Sequence, residues 1–496
     1  MKLGRLRIRN YKNLRDCEIE FAQPHLLNAI IGGNGSGKSN LIEAILQILI
    51  GVYFKKSPPF DFYFQFEAQG RQVTLEGENR RLTVHVDGEP KSLDVFAARL
   101  RDGAAQVYYP ELTFVYYSGE CQRVRRLINR YQKHFKLLTR APETDRFRPL
   151  FVVSSNEQSQ VILLALFAHG HVRFLDHLGL KEIVNVSLVL RSPPGFNPEQ
   201  HEPKLWNTVG AVRRVVAAID ETALVEESRR HDKEAHGVFA VEAVVEAIAY
   251  SETRTYRFND DLQGKNSLRD LASRLSKSGD NLYLALEHLK ARGIFRSVSF
   301  QLKGRGRSDS FEFAQLSEGE KQLLAVIGAI TLINQPDNLV LLDEPDTHLN
   351  PHWSWDYPAM LTDSFDSQQQ RSSTVLMATH TPIMISGLTK EQVLLAHPPS
   401  DKGTVFTRPR RNPRGQGIAN LLCSSEFFGL PSSLDKETQK LLDERLAISI
   451  KHELTDCDKS RLKELNQELE IITPGVSERD PKFVEYLRHQ LTQGKD

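Results

Sequence analysis

The chain is poor in the residues that mark a special environment. Its four cysteines, Cys17, Cys121, Cys423 and Cys457, are too few and too scattered for a disulfide framework or a metal cluster. A reducing compartment, the cytoplasm, is therefore the expectation. An excess of one charge is also missing. Lys and Arg number 64 against 63 Asp and Glu, a formal net charge of +1, which argues against a uniformly basic nucleic-acid binder but leaves room for a local basic surface. The longest apolar runs, such as VILLALFAHG from Val161, are far too short to span a bilayer. At the N-terminus Leu and Ile alternate with Lys and Arg, the pattern of a strand and not of an export signal. Internal repeats, low-complexity tracts and sustained heptads are absent too, so neither a solenoid nor a long coiled coil is expected. What remains is an ordinary globular chain of 496 residues with room for two or three domains.

The most informative segment is IIGGNGSGKSNLIEAI, Ile30–Ile45. An apolar strand-like run enters it and a helical run leaves it, the context that a phosphate loop requires. Gly32–Ser39 reads G-G-N-G-S-G-K-S, a full match to G-x-x-x-x-G-K-[ST]. Gly32, Gly35 and Gly37 allow backbone amides to curl around phosphate oxygens. Lys38 can then reach the β- and γ-phosphates, and the Ser39 hydroxyl can join a Mg²⁺ shell. The nucleotide-binding candidates are Gly33, Asn34, Gly35, Ser36, Gly37, Lys38, Ser39 and Asn40. A second segment, NLVLLDEP at 338–345, uses four apolar residues to deliver Asp343 to the end of a buried strand. Asp343 would hold the Mg²⁺, and Glu344 stands where a carboxylate could deprotonate an attacking water. Two carboxylates directly after a buried strand are otherwise unfavourable. In a third, FAQLSEGEKQLL from Phe313, Ser317 and Glu320 have the spacing of a capping box for a long apolar helix. The alternative is that Ser317 and Gly319 present a hydroxyl and an amide to a phosphate held by another subunit, and the local pattern leaves both open.

These segments together resemble ABC-type ATPase heads of the RecF, Rad50 and SMC kind. LSEGEKQLL is similar to their signature motif, LLDEPDTHLNP to a Walker B strand with its D-loop, and ATHTPIMI to the switch segment, with His380 as the switch histidine. The resemblance implies two heads that sandwich two ATP molecules. Lys38, Ser39, Asp343, Glu344 and His380 then act on the nucleotide of their own head, while Ser317, Glu318 and Gly319 complete the site of the other. It implies a Mg²⁺-dependent ATPase with catalytic residues Glu344, Asp343, His380 and Lys38. It covers about 1–119 and 296–400. The family's Q-loop glutamine is not in place: FVYYSGECQ has none directly after the strand, leaving Ser118 or Gln122. Arg9, Asn10 and Lys12 are the nearby candidates for an adenine contact.

The expected fold is α/β: an ABC-type P-loop head with an antiparallel β subdomain and a mostly helical insertion. The expected division is 1–119, with the phosphate loop and a meander near 61–86; 120–295, helical at 157–176, 209–227, 238–250 and 267–293 with a break at Ser278–Asp280; 296–425; and a charged helical tail, 426–496. The middle is too short for a coiled-coil spacer. That, with EFFGL at 426–430, is similar to compact stand-alone ATPases of anti-phage systems: PtuA of Septu, retron-linked ATPases and the PARIS ATPase. This implies an effector nuclease or toxin as partner, of HNH or TOPRIM type with HNH preferred, and a homo-oligomer larger than the head pair. Nothing in 400–496 supplies a TOPRIM carboxylate set. His169, Gly170 and His171 make an H-x-H pair, but on a helix the two rings would not share a face, so structural histidines are the expectation. Basic clusters at Arg123, Arg125, Arg126, Arg130, Lys133 and Lys136, at Lys303, Arg305 and Arg307, and at Arg408, Arg410, Arg411 and Arg414 suit nucleic-acid phosphates or an acidic partner. The competing function is a RecF-like recombination or repair ATPase at DNA ends or gaps. A transporter subunit is disfavoured by the SEGEK signature and the Q-loop.

Overall fold

The computed structural model describes residues 1–21, 25–102, 108–118, 122–138, 150–154, 158–193, 196, 205–232, 250–260, 266–306, 309–333, 335–399, 403–451 and 453–472. The chain divides into two compact units, 1–415 and 416–496. The expected helices at 238–250 and after Asp480 and the cation Arg307 lie outside the described residues, except for Tyr250.

The first unit is organised by a seven-stranded sheet in the order Phe406–Thr407, Val393–Ala396, Leu27–Ile31, Thr374–Thr379, Leu339–Asp343, Thr113–Tyr117, Phe151–Ser154. All pairs are parallel except the first, which is antiparallel. The runs LNAII, LVLLD, TVLMAT and VLLA are buried at every position, as expected of parallel strands covered on both faces. Helix Lys38–Tyr53 packs on strands 339–343 and 374–379. Its buried Leu41, Ile45, Leu49 and Val52 join one core with Leu3, Leu6, Phe64, Phe66 and Leu75 from a six-stranded antiparallel sheet. That sheet runs Cys17–Glu20, Lys2–Arg9, Asp61–Ala68, Arg71–Glu78, Arg81–Val86, Glu89–Lys91 and contains the expected meander. A helix apolar nearly all round is stable only when covered in this way.

The fold is the expected α/β head with an antiparallel subdomain, and helices supply most of the described regular structure between 120 and 295. The helical expectation for 267–293 is met by Leu268–Lys277 and Leu282–Ala291, with Asn281 Oδ1 capping the second through the amides of Tyr283 at 2.7 Å and Leu284 at 3.4 Å. Two features of this region differ from expectation. Strand Phe151–Ser154 is an edge of the core sheet. A five-stranded antiparallel sheet, Leu224–Asp232, Tyr250–Arg257, Leu180–Arg191, Phe295–Gly304, Ser310–Glu312, also runs through it. The run FRSVSFQLK therefore pairs within this sheet and not in the parallel core. Helix Ser159–His169, almost wholly buried, carries the signature helix on its surface.

The signature helix runs Glu318–Leu323, widens to a π-helical turn at Leu324–Gly328 and resumes at Ala329–Ile333. A Cβ at Gly328 would stand 3.0 Å from Ile162 Cγ2 and 3.1 Å from Leu166 Cδ1. In the second unit, helices Lys436–Ser449 and Asp456–Ile472 pack together, tied by Arg461 to both carboxylate oxygens of Glu444 at 2.8 and 3.0 Å. Among the described residues no helix is long and apolar enough to cross a membrane. Gly328→Val should overpack the contact with helix Ser159–His169 and lower stability by about 1–3 kcal/mol in chemical denaturation; an unchanged midpoint would show that this contact is loose.

Candidate nucleotide-binding and hydrolytic site

The register of the parallel sheet decides where the site lies. Thr379 stands opposite Ile31, and Asp343 stands opposite both Ala378 and Tyr117. The segments that leave these strands, Gly32–Ser39, Glu344–His348, His380 and Ser118, therefore emerge along one edge. In open α/β sheets this carboxyl edge is where ligands bind.

The loop's shape comes from its glycines. Gly35 and Gly37 have φ of 77° and 98°, a region costly for side chains, and a Cβ at Gly32 would run into the Ala396 carbonyl. Lys38 is 5% exposed, and its ammonium donates to the carbonyls of Gly32 at 2.8 Å and Gly33 at 3.2 Å. Burial lowers its pKa, opposed by Glu344 and Asp343. The buried Ser36 hydroxyl has no hydrogen-bond partner. Sequence reasoning missed Asn13, which clamps the loop. Its amide donates to the Gly35 carbonyl at 2.9 Å and accepts from Asn40 Nδ2 at 2.7 Å. Lys12, an adenine candidate, instead reaches Asn40 at 3.3 Å and pairs with the buried Glu43. Arg9 faces Asp16 at 3.5 Å. Asn13 lies in a turn with no local pattern to mark it; only the fold brings it to the loop.

Asp343 is 4% exposed, and its Oδ1 has no hydrogen-bond partner. Burial raises its pKa, partly offset by hydrogen bonds from the Ser39 and Tyr117 hydroxyls; Glu344 also raises it and Lys38 lowers it. An orphaned carboxylate oxygen beside a loop hydroxyl fits a hard divalent cation, which binds through oxygen. Glu344 sits at φ 50°, a strained conformation for a side-chain-bearing residue, fixed by its amide's bond to the Ala378 carbonyl at 2.9 Å. His380 Nδ1 lies 3.2 Å from Glu344 Oε1. Thr347 Oγ1 donates to the Glu344 carbonyl at 2.9 Å and lies 3.0 Å from Ser118 Oγ, which thus has a partner in the turn after Glu344. Gly119–Cys121 and the side chain of Gln122 lie outside the described residues.

Ser317 forms the expected capping box: its Oγ accepts from the Glu320 amide at 3.2 Å, and Glu320 Oε2 accepts from the Ser317 amide at 2.7 Å. Ser317 and Glu318 are exposed, whereas Gly319 is buried. A Cβ at Gly319 would lie 2.8 Å from the His348 carbonyl. Gly319 thus lies against its own chain's 345–348 turn, Ser317 bonds to Glu320, and neither makes a hydrogen bond to the Gly33–Ser39 loop.

The basic clusters fare unequally. Lys303 is paired with Glu182 at 2.9 Å and Arg305 with Asp176 at 2.6 Å, while Arg408 donates to the Glu391 and Glu20 carbonyls. On helix Gln122–Leu138, Val124, Ile128 and Tyr131 are buried, and Arg126, Arg130 and Lys133 lie exposed on the opposite stripe. The side chains of Arg123, Arg125 and Lys136 lie outside the described residues. His169 Nε2 accepts from the Leu282 amide at 3.1 Å, a structural contact.

Two family models match the chain: one described as an AAA domain over residues 5–171, and one described as an AAA domain, putative AbiEii toxin, Type IV TA system, over 217–386. Both models describe AAA domains, each over about a third of the chain. These matches reach into the middle region, beyond the 1–119 and 296–400 expected of the resemblance. The chain is 23% identical over 228 residues to Septu protein PtuA of Bacillus mycoides, covering 44% of this chain and 30% of that protein. To the Retron Vc95 probable ATPase of Vibrio cholerae it is 27% identical over 157 residues, 29% of each chain. To the DNA replication and repair protein RecF of Magnetococcus marinus it is 43% identical over 58 residues, 12% of this chain and 15% of RecF. The matched segments span under a third of these curated relatives. An SMC head bound to the C-winged helix domain of ScpA aligns with a TM-score of 0.35 at 14% identity, covering 82% of this chain and 97% of that one.

The raised Asp343 pKa gives the candidate site a stability signature. A carboxyl whose folded pKa exceeds its unfolded value binds more protons when folded, so its unfavourable contribution is absent below the unfolded pKa and grows as pH rises through the folded pKa. Asp343→Asn should therefore raise the thermal midpoint of the ligand-free protein at neutral pH, with the gain shrinking in acid, while Mg²⁺-dependent nucleotide binding is lost. A lower midpoint at neutral pH would contradict this assignment.

Proposed function

We propose that the chain is a Mg²⁺-dependent ATPase whose heads pair around two ATP molecules, and that this pairing controls an effector nuclease or toxin in a bacterial anti-phage system. The convergence of Lys38, Asp343, Glu344 and His380 on one sheet edge carries the ATPase part. In this reading Gly33–Asn40 cradles the phosphates. Lys38 exchanges the carbonyls of Gly32 and Gly33 for phosphate oxygens, which removes the penalty of its burial. Ser39 and Asp343 would hold Mg²⁺, which supplies charge neutralisation at the phosphates. Glu344 takes the proton of the attacking water, and His380 steadies that carboxylate. Ser317 and Glu318 are exposed and suit contact with the nucleotide of a second head, to which the buried Gly319 would add its backbone amide. The domain scheme is the head, 1–119 with 296–425, the insertion 120–295 and the charged tail 426–496.

The defence role rests on the likeness to the Septu protein and the retron ATPase, and a larger homo-oligomer with an effector on the tail is part of the same proposal. The RecF matches favour the second reading, a DNA repair ATPase. Under either, nucleic-acid contact would fall to Arg126, Lys133 and Arg130, the last with its guanidinium 4.4 Å over the Phe54 ring, more than to Lys303 and Arg305, which are paired with carboxylates.

Glu344→Gln should lower ATP turnover by about 10²–10⁴-fold while retaining bound ATP, and Lys38→Ala should abolish nucleotide binding; full turnover in the Glu344 variant would remove it from the mechanism. Capture of tagged Glu344→Gln protein from its native host with ATP, sized by mass photometry, separates the two functions. A stoichiometric nuclease or toxin is the expected result. A pair that retains only DNA would overturn the defence reading in favour of repair.

A further inference from the structure

We infer that Gln322 is a positioning residue for hydrolysis, which locks the signature segment to the catalytic turn of its own chain. The inference rests on the ATPase reading above. Gln322 lies five residues after Ser317 and has no exposed surface. Its Nε2 donates to the Pro345 carbonyl at 2.6 Å, and its Oε1 accepts from the His348 amide at 3.1 Å. One side-chain amide thus satisfies two backbone groups of the turn that follows Glu344. Only a side chain with both a donor and an acceptor at its tip can do this. Packing alone would be served by Leu or Met at this buried helical position, but either would leave the carbonyl and the amide without their partner.

The contact is close on every side. Gly319, one turn earlier, has no room for a side chain against the His348 carbonyl. Within the turn, Asp346 is 6% exposed and accepts from Thr379 Oγ1 at 3.1–3.2 Å. Thr379 also accepts from the Thr381 amide at 3.0 Å and immediately precedes His380, which contacts Glu344. Hydrogen bonds therefore tie the signature helix through Gln322 to the turn 345–348, and the same turn through Asp346 to Thr379, from which the backbone leads directly to His380 and its contact with Glu344. If Ser317–Gly319 meet the nucleotide of a second head, binding there is felt at Glu344 of this chain. The two sites of a head pair then act cooperatively, with Gln322 as the joint between them.

The test compares wild type, Gln322→Met and Gln322→Glu in the full chain. Gln322→Met should lower kcat by about tenfold with KM for ATP within about twofold, and flatten a sigmoidal ATP dependence to a hyperbola. Hydrogen exchange of a peptide spanning 345–350 in the nucleotide-free protein should quicken, because the His348 amide loses its acceptor, and the thermal midpoint should fall by a few degrees without loss of the cooperative transition. Gln322→Glu keeps the acceptor and regains a donor on protonation, so its turnover relative to wild type should recover as pH is lowered; it also carries the comparison if the Met variant does not fold. Variants that match wild type in kcat, ATP dependence and exchange would overturn the inference alone. A wild type that does not hydrolyse ATP would overturn the ATPase reading and this inference with it.

Discussion

The structure depends on the register of four parallel strands. Leu27–Ile31, Thr374–Thr379, Leu339–Asp343 and Thr113–Tyr117 end at one level because Ile31 pairs with Thr379 and Asp343 with Ala378 and Tyr117. A slip of one residue would turn Asp343 to the opposite face of its strand. It would part the carboxylate from Ser39 and break the Glu344–Ala378 backbone bond that holds Glu344 in its left-handed conformation. Three of these strands are buried at every position and Thr113–Tyr117 at all but Tyr117, so close packing on both faces fixes the register, since a slipped strand would present side chains of the wrong shape to its neighbours.

That edge is energetically unsatisfied by design of its chemistry. Lys38 is buried with its hydrogen bonds going to loop carbonyls, Asp343 carries an orphaned oxygen, and the Ser36 hydroxyl is buried without a partner. Groups like these cost stability in the absence of a ligand, and the lost stability is available to a ligand that supplies phosphate oxygens and a divalent cation. The surrounding scaffold is correspondingly tight: Asn13 pins the loop from one side, and the Ala396 carbonyl lies against Gly32 on the other. Strain at Glu344 belongs to the same arrangement, for a carboxylate held by its backbone loses little freedom when it meets water.

Much of the head was legible in the sequence because local pattern and tertiary role coincide there. The glycine spacing of Gly32–Gly37, the all-apolar run before Asp343, the Ser317–Glu320 box and the break at Ser278–Asp280 each produce their own local structure. The five-stranded sheet was not legible. Strand LVEESRRHD is mostly polar, and its order rests on pairing with Tyr250–Arg257, which is distant in sequence. Strand Phe151–Ser154 is four residues long and is recruited by its neighbour Thr113–Tyr117. Asn13, Tyr117 and Gln322 carry no signature of their own: an asparagine in a turn, a tyrosine at a strand end and a glutamine in a helix are commonplace until the fold brings them together. Conversely, Lys303 and Arg305 read in sequence as suited to phosphates or an acidic partner and are ion-paired in the fold.

The central claim is that Ser317–Gly319 of one chain complete the Lys38 site of another. Mixing two inactive proteins, Lys38→Ala and Ser317→Arg, tests it most directly. A mixed pair contains one intact phosphate loop facing one intact signature, so ATP turnover absent from either protein alone should appear on mixing. No recovery, from proteins shown to be folded and able to pair, would mean that the signature segment serves its own chain or no nucleotide at all.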